Sequence, residues 1–451
     1  MFGTSGIRGP VGETVTVDVA VDLAHAVAAC GYERVVVGRD ARTSGESLAD
    51  ALVAGFREAG VDVVRLGVAA TPTTARSVAW YDADAGVEVT ASHNPPADNG
   101  FKLWAPSGQA FDTERRAEIT EAMETDARER VAWDEQGGVS AVAGAESGDP
   151  VDSEAAERHV DALTETVDGP LDCSVVVDLG NGVGGVTVET LQRLGCDVTT
   201  LNARPDGRFP GRPSEPTAEN CAGLAAHVGA TDADLGIAHD GDADRMQAVD
   251  ETGEFLGGDE LLALFATEAC DAGDRAAAPV DASLAVADAL EARDASLLRT
   301  QVGDVFVAEA CREDGVVFGG EASGAWIWPD ETLCPDGPLA AIRLVELVAD
   351  RGPLSALAGA IESYPIRRAN VESDRKDAVM DRVRETVRAE YDDVTTLDGV
   401  RVGLSDGWFL IRASGTQPLV RVTAEARDGA TSESLLAEAR GIVEDAVESV
   451  Q

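Results

Sequence analysis

The feature that most restricts the fold is a regular alternation between short apolar runs and longer helix-like segments. Residues 34–40 have the pattern of a buried strand ending in a polar turn, residues 47–60 that of a helix, and residues 61–66 that of a second strand. Strands that alternate with helices predict an α/β domain. A second unit of this kind begins at residues 173–178, where a similar strand and turn hint at duplicated domains.

The length and charge of the chain exclude several classes of protein. Its 451 residues are too many for one simple core and predict about two to four domains. The formal net charge is −46, from 82 acidic and 36 basic residues spread along the whole length. Such a surface repels nucleic acids and anionic membranes, so neither is expected as a partner.

The choice of cations and thiols indicates the compartment. Lys102 and Lys376 are the only two lysines, and with the acidity this favours adaptation to a salt-rich cytoplasm, where screening removes most self-repulsion. An acidic protein of an ordinary cytoplasm is the alternative. The seven cysteines form no CxxC pair, as expected for reduced thiols in a cytosolic protein. The chain has no signal-peptide pattern and no run of about 18 apolar residues, which argues against secretion and membrane insertion.

A loop at residues 90–102 combines groups suited to nucleophilic chemistry. It follows the strand-like run 86–89, and its asparagine, proline, aspartate and glycine content cannot continue a strand. Ser92 stands beside His93 and ten residues before Lys102, so a hydroxyl nucleophile has possible proton carriers nearby. A partly desolvated lysine can release its proton, which arginine cannot. The alternative interpretation is a surface turn with a capping serine.

Two glycine-rich stretches are weaker signals. Residues 2–9 place three glycines around Arg8, so a flexible backbone could approach a phosphate and present the guanidinium to it, although a frayed terminus is the alternative. Residues 180–185 have the GxGxxG spacing of a dinucleotide-binding turn after a strand. Asn202 stands at the end of the next strand, where an acid is expected, and this favours a plain strand-to-helix turn.

Three carboxylates at alternate positions predict a metal site. Asp240, Asp242 and Asp244 are separated by small residues and can converge on one hard cation, and oxygen ligands select Mg²⁺ or Ca²⁺. A calcium-binding EF-hand would require glycine where the chain has Arg245, and the apolar flanks are too short and strand-like for its helices. A Mg²⁺ site between two strands is therefore favoured over a solvated acidic loop.

Two further stretches are suited to a sugar and to a phosphate. Residues 302–304 and 319–326 place small residues around polar groups, which suits sugar hydroxyls or an amine, although a tight β-turn is the alternative. Residues 410–422 have the pattern of two strands around a Ser-Gly-Thr loop, with arginines that make either an anion cradle or a plain hairpin. The candidate residues are Gly303, Asp304, Glu321 and Ser323 for the sugar, and Arg412, Ser414, Gly415, Thr416 and Arg421 for the phosphate.

Over its whole length the chain resembles the α-D-phosphohexomutases. Four motifs occur in the order of that family, at residues 90–95 (TASHNP), 240–245 (DGDADR), 320–324 (GEASG) and 412–416 (RASGT). The resemblance implies four domains around a central cleft, three of them α/β with a shared topology and the last a smaller α+β domain. We expect these domains at residues 1–148, 149–252, 253–363 and 364–451.

The resemblance also implies a reaction. The family interconverts hexose 1-phosphates and 6-phosphates, and the active enzyme carries phosphate on a serine, here Ser92. A hexose 1,6-bisphosphate would be the intermediate and activator, and it would turn end for end so that its other phosphate returns to the serine. The residues implied are Ser92, Asp240, Asp242 and Asp244 for Mg²⁺, Arg245 for charge stabilisation, and Lys102, Arg8 and His93 for proton transfer.

A few positions bear on the substrate and on activity. Residues 299–304 are similar to the specificity loop of phosphoglucosamine mutases, which favours glucosamine phosphate over mannose and glucose phosphates. Ala325 stands where many bacterial relatives have histidine, and Gly415 and Gln417 stand where asparagine or glutamate is often found. Ala325 leaves a non-catalytic sugar-phosphate sensor as an alternative, and a Mg²⁺-dependent phosphatase is another. We expect small hexose phosphates as ligands and a monomer or homodimer.

Overall fold

Four β-sheets follow one another along the chain in the computed structural model, which describes all residues except 1–2, 4–5, 126, 129, 415–416 and 451. Each sheet lies within one of the four expected ranges, and we call these parts of the chain domains I to IV. Among the described residues, no helix is both long and apolar enough to cross a membrane.

Domain I is a six-stranded sheet with helices on both faces. Its elements are β1 (Ile7–Pro10), α1 (Val17–Ala29), β2 (Arg34–Arg39), α2 (Gly45–Glu58), β3 (Asp62–Val68), α3 (Thr71–Trp80), β4 (Ala85–Val89), β5 (Asp98–Trp104), α4 (Thr113–Glu124) and β6 (Val139–Ala141). The strand order is β1-β5-β4-β2-β3-β6, with β2 parallel to β3 and β4, and β5 antiparallel to β4. Val35 and Val37 pack with α2 and Val36 packs with α3, which explains why β2 is apolar throughout. The predictions of β2, α2 and β3 are confirmed to within two residues at each end.

Domains II and III repeat the central part of this arrangement. Domain II contains α5 (Glu154–Thr164), β7 (Ser174–Asp178), α6 (Gly185–Arg193), β8 (Asp197–Leu201), α7 (Ala222–Val228), β9 (Leu235–His239) and β10 (Met246–Asp250). Domain III contains α8 (Gly258–Ala269), β11 (Arg275–Pro279), α9 (Leu284–Glu291), β12 (Ser296–Thr300), α10 (Asp304–Ala310), β13 (Val316–Glu321), β14 (Ala325–Ile327), α11 (Gly337–Arg351) and α12 (Leu354–Ala358). The strand orders are β10-β9-β7-β8 and β12-β11-β13-β14.

One strand topology is common to domains I, II and III. In each domain the first parallel strand (β2, β7 or β11) is central, with the second and third parallel strands on either side of it. A fourth strand (β5, β10 or β14) then runs antiparallel beside the third. The shared topology implied by the resemblance is therefore confirmed. Its consequence is that three hairpin loops, at residues 90–97, 240–245 and 322–324, occupy equivalent positions at the carboxyl ends of the third strands. The predicted loop at residues 90–102 is wrong in its last part, because β5 begins at Asp98.

Domain IV has a different architecture. Its elements are β15 (Ile366–Glu372), α13 (Lys376–Glu390), β16 (Val394–Thr395), β17 (Val400–Leu404), β18 (Gly407–Ala413), β19 (Leu419–Ala426) and α14 (Gly429–Val450). The strand order is β15-β19-β18-β17-β16, and every neighbouring pair is antiparallel. Apolar residues of α13 and α14 form one core with the sheet, which makes this the expected α+β domain.

Buried contacts hold domains I, II and III together. Asp336, the N-cap of α11, accepts a hydrogen bond from Arg76 Nε at 2.9 Å and lies 3.2 Å from His159 Nε2. His159 Nδ1 in turn lies 2.8 Å from Thr73 Oγ1. Burial raises the pKa of Asp336, but His159 and Arg76 outweigh it and hold that pKa below its usual range. The apolar cores of domains II and III are continuous, so no gap in packing marks the expected boundary between residues 252 and 253, which stays a prediction.

Candidate active site

The three equivalent hairpin loops meet at one place. The hydroxyl of Ser92 donates a hydrogen bond to Asp240 Oδ2 at 2.7 Å, which joins the loops of domains I and II. Asp242 is also tied to domain I, because its Oδ2 accepts a hydrogen bond from Thr71 Oγ1 at 2.6 Å. Arg245 forms an antiparallel bridge with Ala325, which joins the loops of domains II and III. The serine and aspartate motifs, 148 residues apart in sequence, are thus in direct contact.

Ser92 is held in an unusual backbone conformation. Its φ is +51°, in the left-handed region that non-glycine residues seldom adopt, and its side chain is buried. The backbone N–H donates to Thr90 Oγ1 at 2.8 Å, and Oγ lies 3.2 Å from His93 Nδ1. Strain of this kind persists only where surrounding contacts impose it. Here the left-handed conformation directs the Ser92 hydroxyl toward residues 240–245, which we call the metal loop.

An Asp–Arg pair that sequence reasoning missed imposes that conformation. Arg42 is fully buried, and its Nε donates to Asp40 Oδ2 at 3.0 Å. Its four remaining N–H groups donate to the carbonyl oxygens of Ser92, Asn94, Pro95 and Asp98 at 2.6 to 2.8 Å. One guanidinium thus fixes the loop at residues 90–97, which we call the serine loop. The only signal in the sequence is an arginine two positions after the aspartate that follows β2.

An equivalent Asp–Arg pair in domain II holds the metal loop. Asp178, at the end of β7, accepts a hydrogen bond from Arg212 Nε at 2.9 Å. Arg212 Nη2 donates to the carbonyl oxygen of His239, the residue before the metal loop, at 2.6 Å. The imidazole of His239 is fixed as well, because Nδ1 lies 2.8 Å from the carbonyl oxygen of Arg245 and Nε2 lies 2.8 Å from Thr187 Oγ1. The serine loop and the metal loop are therefore both held in fixed positions.

The three aspartates form a buried cluster that fits a divalent cation. Carboxylate oxygens of Asp240, Asp242 and Asp244 all lie within 4.8 Å of one another. Asp242 Oδ1 and Asp244 Oδ1 are buried and have no hydrogen-bond partner among the described residues. Buried, unpartnered carboxylate oxygens are costly unless a cation binds them. A donor set made only of oxygens suits Mg²⁺.

Lys102 is a close neighbour of this cluster. Its Nζ lies 2.6 Å from Asp242 Oδ2 and also contacts Asp244 Oδ2. Burial lowers the pKa of Lys102, but Asp242 and Asp244 outweigh it and raise that pKa above its ordinary value. Burial and the other two aspartates raise the pKa of Asp240 well above its usual range. The lysine is therefore charged in this arrangement, and its use as a proton carrier stays a prediction.

Three cations act on His93, the residue next to the serine. Burial, Arg245 and Arg8 together lower the pKa of His93 to about 3, so its imidazole is neutral. Arg8 Nε is buried and has no hydrogen-bond partner among the described residues. Arg8, Arg245 and Lys102 thus place positive charge close to the serine loop, which suits a phosphate dianion.

The predicted sugar-binding residues lie together near the boundary with domain IV. Glu321 Oε1 accepts a hydrogen bond from the backbone N–H of Gly303 at 2.7 Å, and Glu321 Oε2 accepts one from Ser323 Oγ at 3.2 Å. Burial and the charge of Asp304 raise the pKa of Glu321 to about 7. A cavity of about 170 Å³ is lined by Glu321 and Ser323 on one side and by Arg368 of domain IV on another. Carboxyl and hydroxyl groups at such a cavity can bind sugar hydroxyls.

The predicted phosphate-binding residues are only partly described. Gly415 and Thr416 lie outside the described residues. Arg412 and Arg421 face each other across β18 and β19, and Ser414 follows at the end of β18. Lys376 Nζ donates to the carbonyl oxygen of Ser414 at 2.5 Å, a contact that sequence reasoning missed although lysine is so rare in this chain.

Comparison with known families gives matches in all four domains. Models of phosphoglucomutase/phosphomannomutase match the chain with alpha/beta/alpha domain I at residues 1–130, domain II at 157–253, domain III at 257–364 and the C-terminal domain at 368–442. A protein of Methanopyrus kandleri named "Probable phosphoglucosamine mutase" is 46% identical and the alignment covers 100% of this chain and 99% of the relative. A protein of the same name from Methanothermobacter thermautotrophicus is 43% identical, with 99% and 98% covered.

Solved structures give the same result. A phosphoglucomutase/phosphomannomutase family protein of Burkholderia thailandensis has a TM-score of 0.86 and 30% identity, with 99% of this chain and 98% of that chain covered. N-acetylphosphoglucosamine mutase of Aspergillus fumigatus, solved with GlcNAc-6P and magnesium, has a TM-score of 0.61 and 17% identity, with 99% and 96% covered. At that identity the second likeness concerns the fold alone.

Proposed function

This chain belongs to the phosphoglucomutase/phosphomannomutase family, and on that premise we propose that it interconverts glucosamine 6-phosphate and glucosamine 1-phosphate. It is a phosphohexomutase, an isomerase that moves a phosphoryl group between two positions of a hexose. The observation that carries the proposal is the contact between Ser92 Oγ and Asp240 in the buried aspartate cluster. The names of the two relatives at 46% and 43% identity support glucosamine phosphate as the substrate.

Ser92 would carry the phosphoryl group that is exchanged. Transfer breaks the bond between phosphorus and Ser92 Oγ and forms one to a hydroxyl oxygen of the sugar. The proton of that hydroxyl ends on Ser92 Oγ, so the serine regains its hydroxyl. Asp240, Asp242 and Asp244 would hold Mg²⁺, which when bound supplies positive charge that stabilises the transferring group. Arg245 would supply further charge close to the serine, because it directly follows Asp244 in the chain and is half-buried beside the aspartates.

The groups around Ser92 have separate tasks in this proposal. His93, with its pKa lowered to about 3, would act as a neutral hydrogen-bonding group on Oγ. Lys102 and Arg8 would balance the phosphate charge. Asp242 and Asp244 hold Lys102 charged in this arrangement, so Lys102 would have to lose these partners before it could take the proton of the sugar hydroxyl. The loops clamped by Arg42 and Arg212 would keep these groups in place without reorganisation during transfer.

The other phosphate of the substrate would bind in domain IV. Arg412, Ser414 and Arg421 would form its cradle together with Gly415 and Thr416. After the first transfer the sugar carries two phosphates, and this 1,6-bisphosphate would turn so that the second one reaches Ser92. Glu321 and Ser323 would bind the sugar in both orientations. A salt-rich cytoplasm and the choice between monomer and homodimer stay predictions.

Phosphorus NMR tests the proposal directly. The protein would be supplied with Mg²⁺, KCl, a trace of glucose 1,6-bisphosphate and one 6-phosphate at a time, of glucosamine, mannose or glucose. We expect a 1-phosphate signal that grows fastest with glucosamine. Faster growth with mannose 6-phosphate or glucose 6-phosphate would show that glucosamine phosphate is not the preferred substrate. No growth with any sugar would overturn the proposed mutase activity.

A further inference from the structure

Arg412, proposed above to bind phosphate, already has acidic partners. Asp398 Oδ2 accepts a hydrogen bond from Arg412 Nη2 at 2.6 Å and another from the backbone N–H of Val302 at 3.2 Å. On the other side, Asp281 Oδ2 lies 3.8 Å from Arg412 Nη1. Asp398 belongs to domain IV, whereas Val302 and Asp281 belong to domain III. One guanidinium and two carboxylates thus join the two domains beside the sugar cavity.

The turn that carries Asp398 is shaped to reach this arginine. Gly399 has a φ of +78°, in the left-handed region. A Cβ atom on Gly399 would lie 2.3 Å from the carbonyl oxygen of Ile411 and 2.5 Å from Arg412 Cγ. Only glycine therefore allows the turn between β16 and β17 to pack so closely on Arg412. The position of Asp398 is built into the turn.

The pair is much more open than its counterparts in domains I and II. The side chains of Asp40 and Arg42 are both 0% exposed, whereas Arg412 and Asp398 are 29% and 26% exposed. Asp281 follows β11, the first parallel strand of domain III, as Asp40 follows β2, the first parallel strand of domain I. The arginine beside Asp281, however, comes from domain IV. An ion pair that is open to water contributes little free energy. A phosphate dianion, which can bind the guanidinium through two oxygens, can therefore displace it.

We propose that Asp398 competes with the substrate phosphate for Arg412 and so speeds the release of that phosphate when the bisphosphate turns. The inference rests on the proposed function, in which each phosphate must leave domain IV once in every cycle. If Arg412 had no other partner, release would leave its charge uncompensated, with Nε already buried and unpartnered among the described residues. Asp398 pairs with the guanidinium of Arg412 when the phosphate leaves. Asp398 is thus a positioning residue that weakens binding and supports turnover.

The test is Asp398→Asn, since the asparagine oxygen still accepts the N–H of Val302 while the ion pair is lost. We expect about fivefold tighter binding of inorganic phosphate and of glucosamine 6-phosphate in calorimetry. KM and kcat should then fall together, which loss of structure would not produce. Asp406→Asn, an exposed aspartate in the next turn of domain IV, is the matched control and should change neither value. In an Arg412→Met background, Asp398→Asn should have no effect on phosphate binding.

Unchanged or weaker phosphate binding in Asp398→Asn, with an unfolding temperature equal to that of the wild type, would overturn the competition. Tighter binding with an undiminished kcat would overturn the role in release. The calorimetry with inorganic phosphate needs no turnover. If the wild-type protein isomerises no sugar, the proposed function fails, and the competition for Arg412 is still decided on its own.

Discussion

The two ends of the site hold their key groups in opposite ways. At the Ser92 end, every N–H of Arg42 is engaged inside a dry core, and Ser92 is forced into a left-handed backbone conformation. At the Arg412 end, one guanidinium lies between two partly exposed acids from different domains. The difference corresponds to the two tasks of a mutase. Phosphoryl transfer requires fixed geometry, whereas a phosphate that must arrive and leave requires partners that can be exchanged.

The largest effect is expected at Ser92 itself. Ser92→Ala removes the only group proposed to carry the phosphoryl, so kcat should fall by a factor on the order of 10⁴ or more. Steady-state isomerisation of glucosamine 6-phosphate measures it. Ser47→Ala, which removes an exposed hydroxyl on α2, is the control. A variant without Ser92 that still isomerises at a tenth of the wild-type rate would contradict the account.

The second largest effect is expected at Arg42, and it tests whether the Ser92 end of the site must be rigid. Arg42→Lys keeps the charge beside Asp40 but cannot serve four carbonyl oxygens, so the serine loop should lose its fixed geometry. We expect kcat to fall about 10²-fold with little change in KM. Arg39→Lys, whose arginine makes one weak bond to a carbonyl oxygen at 3.3 Å, should behave as the wild type. An unchanged kcat in Arg42→Lys would show that the clamp is only structural.

A third prediction concerns how domain IV is attached. Glu425 is fully buried and accepts hydrogen bonds from Trp408 Nε1 at 2.7 Å, from Leu284 N at 2.7 Å and from Ser283 Oγ at 2.5 Å. Glu425→Ala leaves these donors unpaired, so we expect a loss of about 3 kcal/mol in the free energy of unfolding. KM should rise with little change in kcat. Glu438→Ala, at an exposed glutamate of the same domain, is the control for chemical denaturation and kinetics.

Much of the Ser92 end could be predicted from the sequence. The serine and aspartate motifs are local patterns at the ends of apolar strands, and the shared strand topology brings equivalent loops together. Arg42 could not be recognised, because its carbonyl partners lie 50 to 56 residues away and depend on tertiary packing. Asp398 carries no motif, and its partner Arg412 was assigned to phosphate alone.

Burial also limited the prediction of chemistry. The role of Lys102 in proton transfer stays a prediction, because two aspartates hold its charge in this arrangement. The role of His93 in proton transfer stays a prediction, and burial beside Arg245 and Arg8, which lowers the pKa of His93 to about 3, makes its imidazole a weak base. Both outcomes depend on which charges face the group, and residue spacing does not contain that information.

The smallest predicted effect is a pH dependence at the domain IV end. Burial raises the pKa of Asp259 from 3.8 to about 6, and its Oδ1 accepts a hydrogen bond from the N–H of Ser283 at 3.0 Å. Between about pH 4 and pH 6 the folded state therefore binds more protons than the unfolded state, so stability falls as the pH rises through this window. Asp259→Asn should remove that contribution and stabilise the protein at pH 7 by about 1 kcal/mol.

Thermal unfolding at several pH values measures this difference. The wild-type curve should fall relative to the Asp259→Asn curve between pH 4 and pH 6 and run parallel to it above. A constant difference between the two curves would mean that Asp259 does not titrate in this window.

Peptide mass mapping of the phosphorylated protein tests the central claim most directly. The protein is incubated with glucose 1,6-bisphosphate and Mg²⁺, digested and compared with a sample to which glucosamine 6-phosphate was then added. We predict phosphate on the peptide that contains Ser92, and its loss to the sugar when the monophosphate is supplied. Phosphate found elsewhere, or released as inorganic phosphate without appearing on the sugar, would contradict the account.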